Sequence, residues 1–150
     1  MSPTRTILIL SGPNLNLLGD RQPLIYGSET LDELVERARR TAGEHGLEVE
    51  HLQSNHEGLL VDAVHAACGR VAAIIVNAGA LTHYSWSLRD ALACFEGPVV
   101  ELHISNPEAR EDWRRTSVVS PVATGTIQGF GGHGYELAVL GVAHLLEEGP

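Results

Sequence analysis

The sequence predicts a three-layer α/β domain built on a doubly wound, parallel, five-stranded sheet in the order 2-1-3-4-5. Two observations predict it. Short β-branched or leucine-rich runs alternate with segments of helical periodicity along the chain, which gives five strand–helix units and so parallel neighbours. The strand candidates also read as continuously apolar, so helices are expected on both faces of the sheet. With 150 residues, 43% of them hydrophobic, the chain can bury about two-thirds of its unfolded surface around one core, and residues 1–150 are read as a single domain.

The elements follow in order. Thr6–Leu10 is the first strand, and a glycine-bounded loop separates it from a helix over Leu31–Ala42, for which Thr30 and Glu33 supply a capping box. Leu47–Gln53 is the second strand, and Ser54 with Glu57 suggests another capping box ahead of a helix over Glu57–Cys68. The third strand, Ala72–Asn77, leads to a helix over Ser85–Phe95, and the fourth, Val99–His103, to a short helix after Pro107. Gly125–Gly129 and the helix Tyr135–Glu147 complete the set. Cys68 and Cys94 lie in apolar helical contexts with no partner motif, so both are expected to be buried free thiols.

Composition excludes several function classes. All 10 basic residues are arginine, and without a lysine neither imine chemistry nor a phosphate-binding GK[ST] loop can be encoded. A net charge of −9 argues against nucleic acid or an anionic membrane as the main partner, while an anionic small molecule remains open wherever arginines converge. No apolar run approaches the ~20 residues of a membrane span and no signal-peptide layout opens the chain, so a cytoplasmic protein is expected.

In such sheets ligands bind beyond the carboxyl ends of the strands, near the point where strand order reverses. The first strand opens there into Ser11-Gly-Pro-Asn14, the third into Asn77-Ala-Gly-Ala-Leu-Thr-His83, and the fourth into Glu101-Leu-His103-Ile-Ser105-Asn106. Within Ser11–Gly27, Arg21 and Tyr26 stand five apart. A free phenol titrates near pH ~10, and a neighbouring cation is what turns it into a base at neutral pH. Two readings stand at this point: an arginine-activated phenol, or a loop anchor beside a solvated charge. Glu101 and His103 are two apart and project to one face of a strand, so the carboxylate can fix the imidazole as a general acid, or merely satisfy a buried histidine. Arg110 and Arg114, four apart, form either an anion site on one helix face or an ordinary exposed pair. Gly129-Phe-Gly131-Gly-His-Gly134 matches a dinucleotide fingerprint, but neither a second strand nor an acidic residue about twenty positions on accompanies it. Its glycines are expected to serve a tight turn and close helix–strand packing. His56-Glu57 begins like a zinc motif, yet position 60 is leucine, and no metal ligand set is read from the chain.

From Thr6 to Leu146 the chain resembles type II 3-dehydroquinate dehydratases. The resemblance rests on GPNLNLLGxRxPxxYG at Gly12–Gly27, QSNHEGxLVD at Gln53–Asp62, NAGxLTHxSxxLRDAL at Asn77–Leu92, ExHISN at Glu101–Asn106 and GxGxxGY at Gly129–Tyr135. It implies a flavodoxin-like fold, no metal or organic cofactor, 3-dehydroquinate as the small-molecule substrate, and a homo-oligomeric dodecamer of trimers. It further implies that Tyr26 removes a proton from C2 with Arg21 lowering its pKa, that His103, oriented by Glu101, protonates the leaving hydroxyl, and that Asn14 holds the enolate through a water. Asn77, Gly79, Ala80, His83, Ile104, Ser105 and Arg114 are implied in substrate binding, with Asp90 reaching a neighbouring subunit's site. Leu15–Gln22 is expected to act as a lid that brings Arg21 to Tyr26. Ser11 and Pro107-Glu108 depart from the family pattern, and Glu108 would place a negative charge beside the anion pocket if it pointed inward. A nucleotide- or flavin-binding module and a non-catalytic scaffold are the alternatives, and retention of Tyr26, Arg21 and His103 favours the dehydratase.

Overall fold

A computed structural model describes residues 5–149. Its sheet has the expected parallel order, β2-β1-β3-β4-β5, where β1 is Thr6–Ser11, β2 Glu48–Gln53, β3 Ala73–Asn77, β4 Val99–His103 and β5 Gly125–Gln128. Every residue of β1, β3 and β4 is buried, as a strand covered on both faces requires. Ile7, Ile9, Ile75 and Leu102 pack on one side against α2 (Leu31–Glu44) and α5 (His133–Glu148). Leu8, Leu10, Ile74 and Val76 face α3 (Glu57–Ala67) and α4 (Trp86–Ala93) on the other. A further four-residue helix, α1 (Pro23–Tyr26), closes the loop after β1.

The expectation of uniformly apolar strands fails at the edges. In β2, Glu48, Glu50 and Leu52 are exposed while Val49 is buried, and in β5 Gly125 and Thr126 are exposed. An edge strand has no second neighbour to shelter it, so charge and polarity there are tolerated and discourage pairing with other chains.

Thr30 caps α2 as expected: its hydroxyl accepts from the Glu33 amide and donates to the Glu33 carboxylate, both at 3.2 Å. The second capping box does not form. His56 is the residue before α3, Ser54 Oγ accepts from the His56 amide at 2.9 Å, and the Glu57 carboxylate instead accepts from the Ser85 hydroxyl. Ser85 in turn accepts from the Leu88 amide at 3.1 Å and starts α4, so the two helices are tied head to head. Both cysteines are exposed rather than buried, because Cys68 and Cys94 are the residues that end α3 and α4, beyond the last turns that touch the sheet. The glycine-rich turn before α5 behaves as expected. Gly129 has φ +91°, and a Cβ on Gly134 would stand 2.9 Å from Leu102 Cδ1, so the helix lies close enough to β4 that a side chain there would make Leu102 shift.

Parallel register brings the strand ends level. Ser11 lies opposite both Gln53 and Asn77, and His103 opposite Gln128, so the polar groups that finish β1, β3 and β4 open onto one rim.

Candidate active site

The rim holds a cleft. From the β1 side come Pro13, Asn14, Leu15 and Arg21, and from α1 Tyr26; Asn77, Gly79, Ala80 and His83 follow β3; His103, Ile104, Ser105, Pro107, Arg110 and Arg114 follow β4. All the residues expected at the site are among these except Glu101 and Asp90.

Tyr26 is almost fully buried, and its oxygen accepts a hydrogen bond from Arg110 Nη1 at 2.9 Å. Arg21 does not bond to that oxygen; its guanidinium carbon lies 4.6 Å from the ring centroid, stacked on the face, with that of Arg110 at 5.2 Å. Two fixed positive charges therefore surround one phenol, and the directed contact belongs to Arg110. Sequence spacing offered no sign of it, since the two residues are 84 apart. Arg110 also donates to Ser105 Oγ at 3.1 Å, which aims its planar head. Arg110 and Arg114 do not share a helix face: Arg110 ends the 3-10 turn Pro107–Ala109, and Arg114 lies in a second turn, Asp112–Arg115. Arg114 stacks at 4.1 Å on Trp113 and donates from Nε to Glu111 at 2.7 Å.

His103 sits opposite, with its Nε2 2.7 Å from Glu101 Oε2. Glu101 is 1% exposed and does not reach the cleft; it lies behind the imidazole. Burial alone pushes its carboxyl up, but hydrogen bonds from His103, Ser120 and Thr82 outweigh this and hold it at about 2. Thr82 Oγ1 donates at 2.5 Å and Ser117 Oγ at 2.8 Å, with Ser120 on the second oxygen. A carboxylate this well supplied with donors is ionised at neutral pH, so the His103 Nε2 facing it carries a proton and Nδ1 is the nitrogen left for a ligand. None of the three was read as a site residue: Ser117 and Ser120 fall in no motif, and Thr82, though inside the Asn77–Leu92 motif, carries no sequence sign of a bond to Glu101.

Asn77 is buried and held at both ends, donating from Nδ2 to the Tyr135 oxygen at 3.4 Å and accepting from the Gly79 amide at 3.3 Å. Tyr135 is fully buried, and burial pushes its hydroxyl up against hydrogen bonds with Asn77 and Ser11, so it stays a neutral structural phenol. His83 donates from Nδ1 to the Thr116 carbonyl at 2.7 Å, and burial, assisted by His103 and Arg114, lowers its pKa below the usual imidazole value against the opposing effect of that hydrogen bond. A neutral His83 thus offers Nε2 as an acceptor. Asn14 enters the cleft from a left-handed backbone, φ 71°.

The two departures differ in how near they come to the cleft. Ser11 is buried and shares a 2.9 Å hydrogen bond with His51 Nε2. Pro107 contributes to the wall of the cleft, while Glu108 lines an adjoining hollow that shares His83, His103, Pro107 and Arg114 with it, so the carboxylate stands next to the site without lining it. Asp90 projects from α4 into solvent, 76% exposed, with Arg89 3.5 Å away. Among the described residues no group of three or more His, Cys, Asp or Glu side chains is arranged to hold a metal ion, and no helix is long and apolar enough to cross a membrane.

Comparison with known proteins agrees with this layout. The sequence model described as Dehydroquinase class II matches residues 5–143. The chain belongs to the class II dehydroquinase family. It is 56% identical over 146 residues to a 3-dehydroquinate dehydratase of Ruegeria pomeroyi, covering 96% of this chain and 97% of that one. Against 3-dehydroquinate dehydratase 2 of Pseudomonas putida it is 53% identical over 142 residues, with 95% of each covered. The crystal structure of a type II dehydroquinase from Butyrivibrio crossotus superposes with a TM-score of 0.90 at 42% identity, over 93% of this chain and 97% of that one. The dehydroquinase fold is thus a flavodoxin-like one in this chain too, and its cleft falls where strand order reverses between β1 and β3.

Proposed function

We propose that this protein dehydrates 3-dehydroquinate to 3-dehydroshikimate in the shikimate pathway, by anti elimination through an enolate and with side chains alone. The observation that carries the reading is the pairing, in one cleft, of a phenol under two guanidiniums with an imidazole held by a buried carboxylate. The charged oxygen of Tyr26, favoured by the Arg110 hydrogen bond and the Arg21 charge, takes the proton from C2, and the C–H electrons move into the enolate. Asn14 holds the enolate oxygen through a water, so charge that develops in the transition state meets a fixed donor. The C1–O bond then breaks as His103 Nδ1 delivers its proton, the hydroxyl departs as water, and the electron pair forms the C1–C2 double bond. Glu101 keeps the imidazole aimed and its Nε2 protonated. Asn77, the Gly79–Ala80 backbone, His83, Ile104, Ser105 and Arg114 bind the substrate's hydroxyls and carboxylate, each lining the cleft.

The same proposal makes the protein a cytoplasmic dodecamer of trimers, in which Asp90 completes a neighbouring subunit's site. The exposure of Asp90, beside the exposed rings of Tyr84 and Trp86, supports that role. Adding 3-dehydroquinate to purified, metal-stripped protein and following the ultraviolet absorbance of the conjugated enone tests the reaction. Product formed by the wild type and lost in Tyr26→Phe is expected. No absorbance change with folded wild type would discard the reaction and leave a non-catalytic scaffold, and light scattering decides the assembly independently.

A further inference from the structure

The motif Gln53–Asp62 contributes nothing to the cleft, yet its first residues reach the loop that does. Gln53 ends β2 directly opposite Ser11, and its Nε2 faces three acceptors: the Gly12 carbonyl at 3.2 Å, Asn55 Oδ1 at 3.2 Å and Asn16 Oδ1 at 3.5 Å. Asn55 Oδ1 also accepts from the backbone amide of Asn14 at 3.0 Å. Among the described residues, Asn14 (φ 71°) and Gln22 (φ 39°) are the only ones other than glycine with positive φ, and they bracket the segment that carries Arg21. A side chain with a Cβ adopts that conformation at a steric cost, so it persists only where other bonds hold it. The Asn14 amide has such a bond from outside the loop, to Asn55, whereas the bonds at Gln22 are local, its carbonyl accepting from the Ile25 and Tyr26 amides at 2.9 and 3.1 Å.

We infer that Gln53 and Asn55 are positioning residues, which hold Asn14 in its left-handed backbone and fasten the first end of the lid to the edge strand. The Asn14 amide needs an acceptor in this conformation, and Gln53 keeps the Asn55 carbonyl oxygen turned toward it. Without that acceptor Asn14 relaxes to the common right-handed backbone, its side chain leaves the enolate's position, and the first end of Leu15–Arg21 loses its bond to the edge-strand side. The inference rests on the roles proposed for Asn14 and Arg21, but the clamp itself can be tested apart from activity.

Asn55→Leu removes the acceptor at similar volume, whereas Asn55→Asp keeps an oxygen for both donors. Two readouts are needed: steady-state dehydration of 3-dehydroquinate, and the rate of tryptic cleavage after Arg21, followed by mass spectrometry under native conditions. For Asn55→Leu we expect kcat to fall about 10- to 100-fold with a much smaller change in KM, and cleavage after Arg21 to quicken about tenfold, as it does when an open state becomes more populated. Asn55→Asp should stay near wild type in both. If Asn55→Leu does not fold, Gln53→Ala takes its place, with both effects smaller but in the same direction. Wild-type cleavage and kcat in folded Asn55→Leu, or equal damage from Asn55→Asp, would overturn the inference. Wild-type protein that turns over no 3-dehydroquinate would refute the proposed reaction, and the cleavage rates would still decide the clamp.

Discussion

The base side and the acid side of the cleft are built on opposite plans. Tyr26 ends a four-residue helix whose neighbours Leu24 and Ile25 stand in solvent, on a loop bracketed by two left-handed residues. His103 ends a strand buried at every position, and its partner Glu101 is locked by three hydroxyls from outside that strand. His103, the proposed acid, is therefore preorganised by the core, while Tyr26, the proposed base, is enclosed by side chains that fold over it. The comparison teaches that damage on the base side should appear as lost chemistry with little lost stability, and damage on the acid side as both.

Four substitutions break or sharpen that contrast, in decreasing order of effect. Tyr26→Phe removes the base and should cost kcat at least about 10³-fold, with thermal stability near wild type because only a hydroxyl is lost. Residual activity within tenfold of wild type would move the base elsewhere. His103→Gln should cost about 10²- to 10³-fold in kcat, with the loss smaller for an analogue whose leaving group departs without a proton; an equal loss for both substrates would deny His103 the acid's role. Arg110→Met should lower kcat about tenfold or more, because the Tyr26 oxygen loses its directed donor. Arg21→Met, which removes only a stacked charge, should cost less, and the reverse order would make Arg21 the principal activator.

Glu101→Gln sharpens the acid side through stability. Its carboxyl is held at about 2 against an ordinary 4.5, so its contribution is fully present above pH ~4.5 and is lost as pH falls through about 2. Unfolding by urea should show the variant less stable by up to about 3 kcal/mol at neutral pH, with the gap closing on acidification toward pH 2. A gap that is independent of pH would mean the hydroxyls, and not the charge, account for the difference.

The proposed base and acid could both be nominated from the sequence because their signals are local. Arg21 and Tyr26 share one loop, and Glu101 and His103 are two apart on a strand, so pattern alone put each pair on one side of an element. What escaped is non-local. Arg110 reaches Tyr26 from 84 residues away, and Thr82, Ser117 and Ser120 meet Glu101 only after the chain has crossed the sheet. The caps divide the same way: Thr30 found its partner three residues on, while Glu57 turned to Ser85, 28 residues distant, and left the expected box unformed.

By itself, then, the sequence determined the order of elements and the parallel sheet, and it nominated Tyr26 and His103 as the groups to examine, since hydrophobic period, glycine placement and short spacings act within a few residues. Only the tertiary structure decided which guanidinium bonds to the phenol, which hydroxyls hold the carboxylate, that Glu108 is not in the lining of the cleft and that Cys68 and Cys94 are exposed. Each of these depends on how separate βα units stack side by side, and a one-dimensional pattern carries no record of the distances across that stack.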